Sequence, residues 1–187
     1  MIPIRNKKKT LQVTVEEMRN FAFAYVEKYA PSKQQLKTYL LKKYLKTSIT
    51  NVKKQDVNNL IDIVLSDLEK SKFINDKFYS ETKAKSMIRR GNSINKIRSY
   101  LIGKGIRDDF IKETVSKIQD ENSDQDFFSA IKICKKKRIG PARVNDNRAL
   151  FYKKDISLLA RNGFDFETSK KIMDLEKEDY LKIIKLL

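Results

Sequence analysis

The chain has 187 residues, 40% of them hydrophobic and 35% charged, with a net charge of +17. That is enough apolar material for one domain or two small ones, while five glycines and three prolines are too few for the tight turns of a sandwich or barrel. Histidine is absent and Cys134 is the only cysteine, which excludes His-based relays, Ser-His-Asp triads, His metal sites, zinc clusters and any intrachain disulfide.

The apolar spacing is helical nearly throughout, with no convincing period-2 segment, so an all-α fold is expected. The start, residues 1–12, reads as a short basic arm. A first helix opens at Thr14, with Glu17 three residues on as a capping box. Met18, Phe21, Ala22, Tyr25 and Tyr29 share its apolar face, and Pro31 follows its stop. A second helix opens with a box at Ser32–Gln35 and carries Leu36, Tyr39, Leu40 and Tyr44. A third spans about Asp56 to Lys70 around Val57, Leu60, Ile61, Val64, Leu65 and Leu68.

The pattern then restarts. Asn75 or Asp76 caps a fourth helix carrying Phe78, Tyr79, Ala84, Met87 and Ile88, ending at Arg89 and Arg90 with Gly91 as the left-handed stop. Ser93 caps a fifth, with Ile94, Ile97, Tyr100 and Leu101 apolar and Gly103 and Gly105 at its end. Asp108 or Asp109 opens a sixth. Gln119–Asp126 is polar and acidic and reads as a linker or exposed loop. A seventh helix places Phe127, Phe128, Ile131 and Cys134 inward and ends in a Gly-Pro stop at Gly140–Pro141. Asn147 caps an eighth that runs to Gly163. A ninth opens near Asp165 and breaks before Tyr180.

Nine helices in three sets of three suggest an internal repeat. Lys96–Ile106 lies over Lys154–Phe164 at an offset of about 58 residues. Ser99 then meets Ser157, Leu101 meets Leu159, and Gly105 meets Gly163. The first set aligns Tyr39 with Tyr100 and Leu40 with Leu101, with Tyr44 at the Gly position. The expected organisation is the arm followed by three-helix repeats at 13–73, 74–120 and 121–187.

An excess of 41 basic over 24 acidic residues favours a polyanionic partner or an acidic protein surface. Three clusters stand out: Arg89, Arg90, Lys96 and Arg98; Lys132, Lys135, Lys136, Lys137 and Arg138; and Arg143, Arg148, Lys153 and Lys154. Each could equally be a solvated helix face or a complement to a helix dipole. Arginine is the more telling type, because lysine, isoleucine and asparagine are enriched as an AT-rich coding bias would enrich them. Cys134, three positions from Ile131 with no histidine to activate it, reads as a core thiol. The lone Gly103–Lys104–Gly105 does not complete a dinucleotide fingerprint, since position 108 is Asp, and no P-loop occurs. An enzyme is not expected. No apolar run is long enough for a leader or a span, the longest being Phe21–Val26, so a soluble cytoplasmic protein is expected.

The run from Lys72 to Val115 resembles the central repeat of the RecX regulatory proteins. The matching elements are Phe73, Asp76 and Phe78, then a basic helix ending Arg89-Arg90-Gly91, then Ile97, Leu101 and Lys104-Gly105-Ile106. Upstream, Ser32 with Leu36 and Leu40 fits the first repeat of that family, and the likeness extends over roughly 20–185. It implies three tandem three-helix repeats in an elongated, curved arrangement. It also implies a binder of the RecA recombinase filament on DNA that adjusts filament growth and ATP hydrolysis, with no cofactor and no catalysis of its own. The basic residues above would then face the filament or its single- or double-stranded DNA. The other reading is a general nucleic-acid-binding helical protein.

Overall fold

The computed structural model describes residues 11–46, 53–144 and 147–187. They form ten α-helices, one 3-10 turn and no strand: α1 (Val15–Tyr29), α2 (Lys33–Lys46), α3 (Lys54–Lys70), α4 (Asp76–Arg89), α5 (Ile94–Gly103), α6 (Asp108–Glu121), α7 (Gln125–Lys137), the turn Gly140–Ala142, α8 (Arg148–Arg161), α9 (Phe166–Met173) and α10 (Lys177–Lys185). The expected basic arm falls almost wholly outside the described residues. Two compact units result, divided between Asp76 and Lys77.

The first unit is α1–α3. Thr14 Oγ1 accepts the Glu17 N–H and starts α1, while the Glu17 carboxylate accepts from the Tyr44 hydroxyl instead of closing a box. The box of α2 is complete: Ser32 Oγ accepts from Gln35 N–H, and Gln35 Oε1 accepts from Ser32 N–H. The core holds Met18, Ala22, Leu36, Leu40, Tyr44, Val57, Ile61, Val64, Leu65, Leu68 and Ile74. Each fully buried leucine there contributes on the order of 2 kcal/mol. Asp76 serves this unit as well, its carboxylate accepting the first N–H of α2 from Lys33.

The second unit runs from α4 to α10 around two hydrophobic clusters. One comprises Tyr79, Ala84, Met87, Ile94, Ile97, Leu101, Ile106, Ile111, Val115 and Ile118. The other comprises Ala130, Ile131, Ile133, Cys134, Ile139, Leu159, Phe164, Ile172, Met173 and Tyr180. With the first unit's core, three clusters follow the three sets of helices, an arrangement compatible with tandem repeats.

Several expectations need correction. Phe78 is 67% exposed, and Ser80 takes the inward position beside Tyr79, its hydroxyl bonded to Thr114. Gln119–Asp126 is not a linker, since α6 runs to Glu121 and α7 starts at Gln125. Its Asp126 turns inward, and its carboxylate accepts the Ile94 N–H at the start of α5. Of the pair Gly103 and Gly105, only Gly105 is left-handed (φ +71°). Arg107 precedes α6, with no side-chain cap, and pairs with Asp109 in its first turn. The left-handed stop of α7 is Arg138 itself (φ +53°), ahead of Gly140, which is also left-handed at +53°. The break expected before Tyr180 falls after Met173, and the chain resumes as α10 at Lys177.

Candidate partner-binding surface

The second helices of the three sets, α2, α5 and α8, share a composition. α2 and α5 contain no Asp or Glu, and α8 contains one, Asp155. Asp155 is buried, 1% exposed, so the exposed side of α8 carries no carboxylate. The acids lie on the flanking helices, where they form exposed ion pairs such as Arg19–Asp67, Lys37–Asp62, Lys77–Glu113 and Lys117–Glu81. Pairs so exposed contribute little stability.

The three helices also share a local bond. Thr38, Ser99 and Ser157 each donate a hydroxyl to the carbonyl four residues back, at 2.8, 3.0 and 2.9 Å. α5 and α8 end alike: Gly105 N–H reaches Ile102 O as Gly163 N–H reaches Ala160 O, at 2.9 and 2.8 Å. Ile106 N–H reaches Leu101 O as Phe164 N–H reaches Leu159 O. Both glycines have positive φ, +71° and +87°, where a side chain costs roughly 1 kcal/mol.

The basic residues singled out from the sequence divide on this frame. Arg89 and Arg98 are exposed, at the end of α4 and on α5. Arg90 is exposed too, with its guanidinium folded back onto Ser86, Nε to the carbonyl at 3.2 Å and Nη2 to the hydroxyl at 3.3 Å. Lys135, Lys136, Lys137 and Arg138 are exposed in and after the last turn of α7, where they complement its dipole. Lys153 and Lys154 are exposed on α8. Among the described residues, no ion pair involves any of these side chains.

Three others are absorbed by the fold. Lys96 Nζ donates to Asn162 Oδ1 at 3.0 Å, tying α5 to the turn after α8. Arg148 donates to the carbonyls of Met173 and Leu175, both at 2.7 Å, and so completes the C-terminus of α9. Arg143 forms a two-pronged pair with Asp155, Nε to Oδ2 at 2.6 Å and Nη2 to Oδ1 at 2.8 Å. Burial works against the Asp155 charge, but Arg143 and the Gly140 N–H at 2.9 Å outweigh it and hold the carboxyl below its ordinary value. At the offset of 58 residues that lays α5 over α8, Asp155 falls on Ile97. The sequence reading passed over Arg161, exposed in the last turn of α8. The scarcity of carboxylates in α8 is the signal that finds it.

Cys134 is fully buried, and burial, then the nearby Asp155 charge, pushes its thiol up to about 12. It is a core side chain. Among the described residues, no group of three or more Cys, Asp or Glu side chains gathers as a metal site would require, and no helix is long and apolar enough to cross a membrane.

No family model matches the chain, and no solved structure does. Curated relatives do match. A protein of Myxococcus xanthus (strain DK1622) called Regulatory protein RecX is 29% identical over 173 residues, 91% of each chain. A protein of the same name from Agrobacterium fabrum (strain C58) is 25% identical over 161 residues, 86% of this chain and 84% of its own.

Proposed function

Two relatives of one name, each matched along most of its length, support a RecX family assignment, and from it we propose that this chain is a cytoplasmic regulator of homologous recombination and DNA repair. It binds the RecA filament on DNA and lowers the filament's ATPase and strand-exchange activity. The chain acts by binding, and no catalytic step is assigned to it. The observation that carries this reading is the exposed cationic side of α5 and α8, with the basic ends of α4 and α7, in a chain whose relatives are regulatory proteins.

The physical case is complementarity. A filament on DNA presents repeated acidic and phosphate groups, and cations held on repeated helices can meet them at a repeated spacing. Arg89, Arg98 and Arg161 offer planar forks that fit carboxylate or phosphate two bonds at a time. Lys135–Lys137, Arg138, Lys153 and Lys154 supply point charges that raise the encounter rate.

The deciding experiment is DNA-dependent ATP hydrolysis by the cognate recombinase with this protein added well below one copy per protomer. A fall in rate supports the proposal. An unchanged rate up to equal amounts at moderate salt overturns it. The second reading, a nucleic-acid binder acting without a recombinase, draws on the same absence of exposed carboxylates. It requires tight binding to bare DNA with a steep salt dependence.

A further inference from the structure

The exposed sides of α5 and α8 hold more than charge. On α5, Ile102 is 64% exposed, one turn beyond the exposed Arg98. On α8, Leu150 is 75% exposed, with Lys153 and Lys154 exposed one turn on. A single aliphatic side chain in water needs no explanation. Here each of two acid-poor helices carries one among its cations, and Asp155, the only acid of the two helices, is buried. Ser99 and Ser157 lie on the same exposed sides, yet each already gives its hydroxyl proton to the carbonyl four residues back, at 3.0 and 2.9 Å. Beside Ile102, a Cβ added to Gly103 would meet nothing within 4 Å, which leaves that side of α5 open.

We propose that α5 and α8 dock an acidic protein surface whose carboxylates flank large apolar side chains, with Ile102 and Leu150 as the apolar anchors and Arg98, Lys153 and Lys154 as the charge partners. This docking rests on the regulatory reading for its partner: of the two components of a recombinase filament, these helices grip the protein and not the DNA. Phosphate oxygens take N–H and O–H donors. The cations alone would satisfy them, an aliphatic side chain beside the cations gives them nothing, and the two serine donors are already used. An acidic protein surface answers both features. Its carboxylates pair with the cations, two bonds at a time for Arg98. Burying Ile102 and Leu150 removes apolar area from water and supplies the dry centre around which charged groups form the rim of a protein interface.

The test compares two affinities of the full chain: for filaments of the cognate recombinase on oligo-dT, by co-sedimentation, and for labelled bare oligo-dT, by anisotropy. Ile102→Gln with Leu150→Gln keeps every charge and places good helix formers at both positions. It should lower filament affinity about tenfold, the effect of losing two anchors from an interface. Affinity for bare oligo-dT and the circular dichroism spectrum should stay unchanged. If that variant loses helicity, Ile102→Ala with Leu150→Ala replaces it and should show the same selective loss. Unchanged filament affinity in a folded variant overturns the docking, and it leaves the regulatory reading standing where the native chain still lowers ATP hydrolysis. An equal loss on bare oligo-dT would assign the two aliphatic side chains to contacts with bases and overturn it as well. A native chain that binds no filament and leaves hydrolysis unchanged overturns both.

Discussion

Asp155 shows how a buried charge can stand where the aligned helix carries an apolar side chain and be compensated. Its counterpart Ile97 is an ordinary core side chain, whereas Asp155 puts a charge in the same place and depends on Arg143 and the Gly140 N–H. Removing one partner of such a pair leaves an uncompensated buried charge. Arg143→Ala should therefore cost about 3–5 kcal/mol in urea unfolding at neutral pH. Replacing both, as Asp155→Ile with Arg143→Met, should be near neutral or stabilising. The pH dependence has a fixed sign. The folded carboxyl lies below its ordinary value of 3.8, so its contribution is present above that pH and disappears as pH falls through the folded value. Denaturation curves between about pH 5 and pH 2 should show this loss in the native chain and not in the double variant. Cys134 offers a second check at this scale. With its thiol pushed up to about 12 and no solvent contact, it should resist maleimide at pH 8 in the folded protein and react on unfolding.

The helices and their stops were the most legible features of the sequence, because caps and glycines act within a few residues of themselves. Ser32 and Ser93 cap as expected, Asp165 caps the helix expected to open near it, and Gly91, Gly105 and Gly163 are all left-handed. A Cβ on Gly163 would lie 2.4 Å from Ser93 Oγ and 3.0 Å from Lys96 N, whereas nothing lies within 4 Å of one on Gly103. Gly163→Ala should thus cost more than the roughly 1 kcal/mol of positive φ alone. Gly103→Ala, at the last residue of α5, should be neutral or add up to about 1 kcal/mol, and thermal melts separate the two. Local pattern misleads where a distant partner decides. Gln119–Asp126 looked like a loop because it is acidic, but Asp126 is held by the first N–H of α5. Arg143, Arg148 and Lys96 pass for surface charge in the sequence because their partners, Asp155, the carbonyls at the end of α9, and Asn162, lie 12 to 66 residues away in the chain. Phe21, Tyr25 and Tyr39 pack against the first unit's core as their spacing predicts, and only Tyr29, at the end of α1, is left 53% exposed.

For the whole molecule, the excess positive charge is organised rather than spread, since α5 and α8 expose cations and the flanking helices hold the acids. Changing Arg89, Arg90 and Arg98 together to Ala should weaken filament binding about tenfold or more while leaving helicity intact, since none of the three side chains is buried. Pull-down on recombinase filaments across a salt series checks this, and unchanged binding would remove that cluster from the surface. The joint between α5 and the turn after α8 has a different consequence. Ser93 Oγ accepts the Lys96 N–H that starts α5 and donates to Asn162 O, while Asn95 reaches Gly163 O. One hydroxyl therefore closes the start of one helix and the end of another 69 residues away. The two clusters of the second unit cannot open one at a time without uncapping each other. Its amide protons should exchange in a single cooperative step rather than in two, so that a partner gripping either cluster stiffens both.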